Sequence, residues 1–113
     1  MRFYLRSKIH WATVTQAKVD YIGSITIDED LIEKSGLDEG EKVHVWDITN
    51  GERVQTYVIK GKRNSGTICM NGAAAKKIKK GHKVIVAGFE LAEEKVEPKI
   101  IKVDESNKFV EYL

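Results

Sequence analysis

A single cysteine, Cys69, rules out an intrachain disulfide in this sequence of 113 residues. That fits a reducing cytoplasm. With Ile68 and Met70 beside it, Cys69 reads as a buried apolar residue and not as a nucleophile. Only one proline, Pro98, interrupts the chain, at a position tolerated as the entry to a strand. No stretch approaches the roughly 20 apolar residues that span a membrane. The opening residues, Met1 to Lys8, are broken by charge and contain no apolar signal core. A cytoplasmic protein with no membrane partner is expected. The net charge of +2 demands no acidic partner. His10, His44 and His82 are scattered without ligand spacing, so no metal site is expected. Neither a glycine-rich phosphate loop nor a Ser-His-Asp order is present.

The length suits one domain, 1–113, with one real core. Strand signals come in short runs. The spans 13–21 and 24–27 are extended, as are 42–48 and 53–59. Asn50-Gly51 lies between the last two and predicts a tight hairpin with positive φ at both turn residues. Two further strands are expected at 84–89 and 99–103. Asp28 to Gly36 reads as a short helix with Asp28 as its cap and Gly36 as its left-handed end. A second short helix is predicted over 73–80, ended by Gly81. The last ten residues, from Asp104, look weakly tied. A mainly β fold with two short helices results, and a small closed barrel would remove exposed strand edges.

Gly23-Ser24 is the dipeptide with the most chemical potential. A serine hydroxyl can attack the carbonyl before it, and glycine offers no side chain to block that attack. Taken singly, such a dipeptide is usually a turn. Arg53, Thr56 and Tyr57 share one hairpin arm, where they are equally ordinary strand residues. Lys8 and His10 read singly as surface. Lys76, Lys77, Lys79 and Lys80 form a solvated face or a weak phosphate patch, without interleaved aromatics. Asn71-Gly72-Ala73-Ala74-Ala75 opens a predicted helix in small residues. Its backbone N–H groups could meet a carboxylate, or it could be a simple turn.

Together these segments resemble the pyruvoyl-dependent aspartate decarboxylase family. The resemblance rests on Lys8-Ile9-His10, Ala12 to Thr15, Tyr21 to Asp28, Val45 to Arg53, Thr56-Tyr57 and Asn71 to Ala75, in order and spacing. It covers the chain up to about Phe89. Trp11, where a basic residue is expected, and the lysines after Ala75 depart from the pattern.

The resemblance implies a double-psi β-barrel and a homotetramer with active sites between subunits. It implies self-cleavage between Gly23 and Ser24, giving fragments 1–23 and 24–113 and a pyruvoyl group from Ser24. Thr56 is then the oxyanion donor during cleavage, and Tyr57 the proton donor in catalysis. The pyruvoyl ketone would bind the amine of L-aspartate as a Schiff base and accept the electrons left by carbon dioxide. The product is β-alanine, used for pantothenate. Lys8 and Arg53 would hold the two carboxylates. Which cation takes which is open, and weaker binding of the departing group favours Arg53 on the retained one. Asn71, Gly72, Ala73 and Ala74 match the family's substrate-contacting segment. His10, Tyr21 and Trp46 are pocket or supporting residues. The rival readings are a pyruvoyl decarboxylase for another amino acid and a non-enzymatic barrel that binds nucleic acid or a protein partner.

Overall fold

Alternation of apolar and polar residues builds the sheet. In the strand Lys42–Asp47, Val43, Val45 and Asp47 face inward, while Lys42, His44 and Trp46 stay more exposed. The computed structural model describes all residues, 1–113. In chain order its elements are β1 (Arg2–Thr13), β2 (Gln16–Lys18), β3 (Ser24–Asp28), α1 (Glu29–Ser35), β4 (Lys42–Asp47), β5 (Arg53–Gly61), β6 (Ile68–Asn71), β7 (Lys83–Ala92), β8 (Lys99–Val103) and β9 (Phe109–Tyr112).

The fold is mainly β. One sheet runs β2-β6-β3-β5-β4-β7-β1-β8-β9, with β2 and β9 at its edges. By its hydrogen-bond ladders the sheet is open. β1 and β2 form nearly one run, and the run serves both flanks. β1 pairs with β7 and β8, while β2 pairs with β6. Ile9, Ile25, Ile27, Val43, Val45, Val58, Met70, Val84, Val86 and Ile101 have no solvent exposure and make one core. Each such side chain contributes roughly 1.5–3 kcal/mol by leaving water.

The short helix forms where its signals lie. The Asp28 carboxylate accepts the Asp30 N–H at 2.8 Å, and Gly36 ends α1 at φ +79. Asp28 also reaches beyond its helix. Its buried carboxylate accepts the N–H groups of Asn64 and Gly66, both at 2.9 Å, and so pins the β5–β6 turn. Asp28→Asn replaces one acceptor oxygen by a donor in a buried place. It should lower stability by about 1–3 kcal/mol in urea unfolding; an unchanged midpoint would deny Asp28 this role.

The second predicted helix, 73–80, is not formed. A single 3-10 turn, Gly72–Lys76, stands there instead, so the fold has one α-helix. The lysines that follow repel along a helix face, and the chain leaves the helical path to bury Ile78 fully in the core. The hairpin also differs. Five residues, 48–52, join β4 to β5, and among Asn50 and Gly51 only Gly51 has positive φ. The buried Asp47 carboxylate accepts the N–H groups of Thr49 and Asn50, and this sets a wider loop than two residues would make.

The two ends of the chain correct the expectation further. Residues 2–13 form the longest strand, β1. The C-terminal residues are not loose: β9 pairs with β8. Buried Asn107 donates to the carbonyls of Thr13 and Gly66, each at 2.8 Å, and accepts the Thr13 N–H at 2.8 Å. No helix is long and apolar enough to cross a membrane.

Candidate active site

Ser24 begins β3 and is buried, while Gly23 before it is exposed. Their peptide bond therefore crosses from the surface into the protein. A cavity of about 550 Å³ opens at this point, and Tyr21, Ile22, Ser24, Thr26, Cys69 and Asn71 are among its walls. Alternation along β3 sets Ser24 and Thr26 on one face. Alternation along the antiparallel neighbour β6 does the same for Cys69 and Asn71, with Ser24 opposite Asn71.

A small polar network ties the two strands. The Asn71 Nδ2 donates to Ser24 Oγ at 2.8 Å and to Thr26 Oγ1 at 3.0 Å. The Cys69 Sγ lies 3.3 Å from Asn71 Oδ1. Burial pushes the Cys69 thiol up, partly offset by the Lys18 charge, so it keeps its proton at neutral pH. Lys18 also lies over the Tyr21 ring, 4.5 Å from its centre.

Gly72 fixes the backbone here. It has φ +77, and a Cβ placed on it would lie 2.7 Å from Gly23 Cα and 2.9 Å from Gly23 N. Only glycine permits both the left-handed conformation and this approach. Ala73 and Ala74 follow in the 3-10 turn but are not walls of the cavity.

Thr56 and Tyr57 come near the same end of the sheet. β3 and β5 are parallel, with Ile25 opposite Val58. Thr56-Tyr57 precede Val58 as Gly23-Ser24 precede Ile25. Tyr57 is 39% exposed, so its phenol is accessible.

Arg53 and Trp46 stand elsewhere. They are cross-strand partners at the far end of the β4–β5 hairpin, with the guanidinium carbon 5.0 Å from the indole ring centre. Arg53 and Tyr57 are four positions apart, about 13 Å along the strand. Lys8 and His10 lie on β1, which β5, β4 and β7 separate from β3. His10 lines a different, smaller cavity with Trp11, Lys83 and Lys102. One chain thus gathers Gly23, Ser24, Tyr21, Asn71 and Gly72, sets Thr56-Tyr57 beside them, and leaves Lys8, His10, Arg53 and Trp46 apart.

His10 is perturbed in a testable way. Burial lowers its pKa below the ordinary 6.5, and the charges of Lys8 and Lys102 lower it further. The protonated form is disfavoured by folding. The neutral ring's contribution is therefore full above 6.5 and is lost as pH falls toward the lowered folded value. An NMR titration should give a His10 midpoint below 6.5, and Lys8→Ala should move it upward. A midpoint at or above 6.5 would refute this environment.

Thr26 and Lys18 also line the cavity, and so does Cys69, which the sequence marks only as a buried apolar residue. The signal was present in the period of two: Cys69 shares a face with Asn71, and Thr26 with Ser24. Among the residues described, no group of three His, Cys, Asp or Glu side chains could hold a metal ion.

Relatives place these residues in a family. Residues 1–110 match the sequence profile of the family described as Aspartate decarboxylase. An aspartate 1-decarboxylase of Caldicellulosiruptor saccharolyticus is 56% identical over 110 residues, covering 94% of this chain and 86% of that protein. That of Caldicellulosiruptor bescii is 54% identical over the same shares. One from Bacillus cereus is 48% identical over 116 residues, covering 99% of this chain and 91% of the relative. Likeness of this extent makes the protein an enzyme, a carbon–carbon lyase. The chain belongs to the aspartate decarboxylase family.

Proposed function

We propose that this protein decarboxylates L-aspartate to β-alanine, for pantothenate synthesis in the cytoplasm, with a pyruvoyl group made from its own Ser24. The observation that carries this reading is the Gly23-Ser24 junction, exposed at the glycine and buried at a serine whose Oγ is held by Asn71. Such a junction fits self-processing. A Cβ on Gly23 would meet nothing closer than Asn71 O at 4.0 Å, so there is open space beside this residue.

Processing begins when Ser24 Oγ attacks the Gly23 carbonyl carbon. The C–N bond breaks, the Ser24 nitrogen takes up the proton that the hydroxyl loses, and an ester joins the two residues. Thr56, approaching the same end of the sheet, supplies a hydroxyl donor to the oxyanion. Loss of the Ser24 α-proton then expels the Gly23 carboxylate and leaves dehydroalanine. Water adds and ammonia departs, giving the ketone. The chain becomes two fragments, 1–23 and 24–113.

The pyruvoyl group supplies a ketone conjugated to an amide, an electron sink for the carbon–carbon bond that breaks. The chain's own side chains do the rest. Arg53 grips the retained carboxylate with its planar fork, and stacking on Trp46 limits its motion. Lys8 offers a point charge to the other carboxylate. Tyr57 returns a proton to the α-carbon. Asn71 and the backbone of Gly72, Ala73 and Ala74 line the substrate, with Tyr21 as a wall and His10 in support.

Because one chain leaves Lys8 and Arg53 apart from Ser24, a second copy is the natural source of the missing cations. This favours sites between subunits, and the family resemblance implies a homotetramer. The bent β1–β2 run, serving both flanks of the sheet, suits a double-psi β-barrel.

Assay of carbon dioxide and β-alanine from L-aspartate, beside L-glutamate, tests the substrate. Turnover should be confined to aspartate, and equal turnover of glutamate would reject the assignment. Arg53→Ala should raise KM or lower kcat enough to reduce kcat/KM by about 100-fold, the worth of a charge-assisted bidentate contact near 3 kcal/mol. Intact turnover in that variant would remove Arg53 from the clamp.

A further inference from the structure

We infer that Cys69 is a positioning residue for self-processing, acting through the orientation of the Asn71 amide. The inference rests on the self-processing proposed above. Asn71 is buried, and its amide has two orientations related by a half-turn. In the orientation present, the Ser24 and Thr26 hydroxyls both accept from Nδ2, which leaves Oδ1 to the third neighbour. That neighbour, Cys69, is the one side-chain donor facing Oδ1. Its Sγ lies 3.3 Å from Asn71 Oδ1 and is buried. Donation of the S–H to Oδ1 turns Nδ2 toward Ser24 Oγ at 2.8 Å and Thr26 Oγ1 at 3.0 Å.

The orientation matters because Ser24 Oγ loses its proton on forming the ester. From then on that oxygen only accepts. When the Cβ–O bond breaks, the bonding electrons go to this oxygen, which becomes part of the Gly23 carboxylate. An N–H from Asn71 stabilises the growing charge, whereas a reversed amide would set Oδ1 against it. Cys69 thus holds a donor in place for an oxygen that can no longer choose its partner.

Freshly synthesised chains can be followed by denaturing mass spectrometry, with the wild type beside Cys69→Ala and Cys69→Ser. Cys69→Ala removes the donor at nearly the same size and should slow cleavage about tenfold, the equivalent of one lost hydrogen bond. Cys69→Ser restores a hydroxyl donor and should cleave at close to the wild-type rate. A purely packing role predicts the opposite order, because a buried hydroxyl is worse there than a methyl group. Thermal unfolding of both variants checks that each is folded at the assay temperature. Equal rates for all three chains, or Ser slower than Ala, would overturn the inference. A wild type that never cleaves would instead defeat the self-processing reading itself.

Discussion

Ser24→Ala is expected to leave the chain in one piece and to abolish β-alanine formation to the detection limit. In the proposed processing the hydroxyl is the attacking group, and no ketone forms without it. The fold should survive. Ser24 is buried at the start of β3, and alanine fits the same space. The change strands one Asn71 N–H, while Thr26 keeps the other partner at 3.0 Å. The cost is about 1–3 kcal/mol for an unpaired buried donor. The expected result is a folded, inactive species of 12.8 kDa less one oxygen. Measurable turnover in an uncleaved Ser24→Ala chain would show that position 24 is not the source of the electrophile.

Gly72→Ala should be nearly as severe, for a reason the sequence shows only faintly. The added methyl would stand 2.7 Å from Gly23 Cα, 2.9 Å from Gly23 N and 3.1 Å from the Tyr21 carbonyl oxygen. All three atoms are backbone, so no side chain can swing aside. The left-handed φ of +77 adds a strain of roughly 1–3 kcal/mol for a non-glycine residue. The backbone that must yield is the one carrying the bond proposed to be cleaved. A shift costing the attack even about 1.4 kcal/mol slows cleavage tenfold. Precursor should accumulate in intact-mass spectra, with a lowered unfolding temperature. Cleavage at the wild-type rate would mean that Gly72 does not govern the geometry of Gly23.

Local chemistry was what the sequence made legible. Asp28 and Gly36 mark the ends of α1 because a cap and a left-handed stop act within a few residues. β8 was expected at 99–103 and stands there, since Pro98 and the apolar pair Ile100-Ile101 set it off. Non-local chemistry was hidden. Charges interrupt β1, which is a strand because β7 and β8 pair with it from either side. Asn107 ties the C-terminal segment to Thr13, 94 residues away. The run 73–80 kept a helical composition, but burial of Ile78 decided its path.

The candidate site divides in the same way. Gly23-Ser24 and Asn71-Gly72 stand out as short motifs, and strand pairing brings them together. Cys69 was hidden by its apolar neighbours, although its alternation with Asn71 pointed to the polar face. Arg53 and Lys8 have the right chemistry, yet their strands hold them away from Ser24 within one chain. Distances across an assembly are not written in any local pattern.

Denaturing mass spectrometry of the purified wild-type protein tests the central claim most directly. Two species are predicted: residues 1–23 ending in a free carboxylate, and residues 24–113 beginning with a pyruvoyl group that blocks N-terminal sequencing. A single intact chain of 12.8 kDa, persisting on warming while aspartate is decarboxylated, would contradict it.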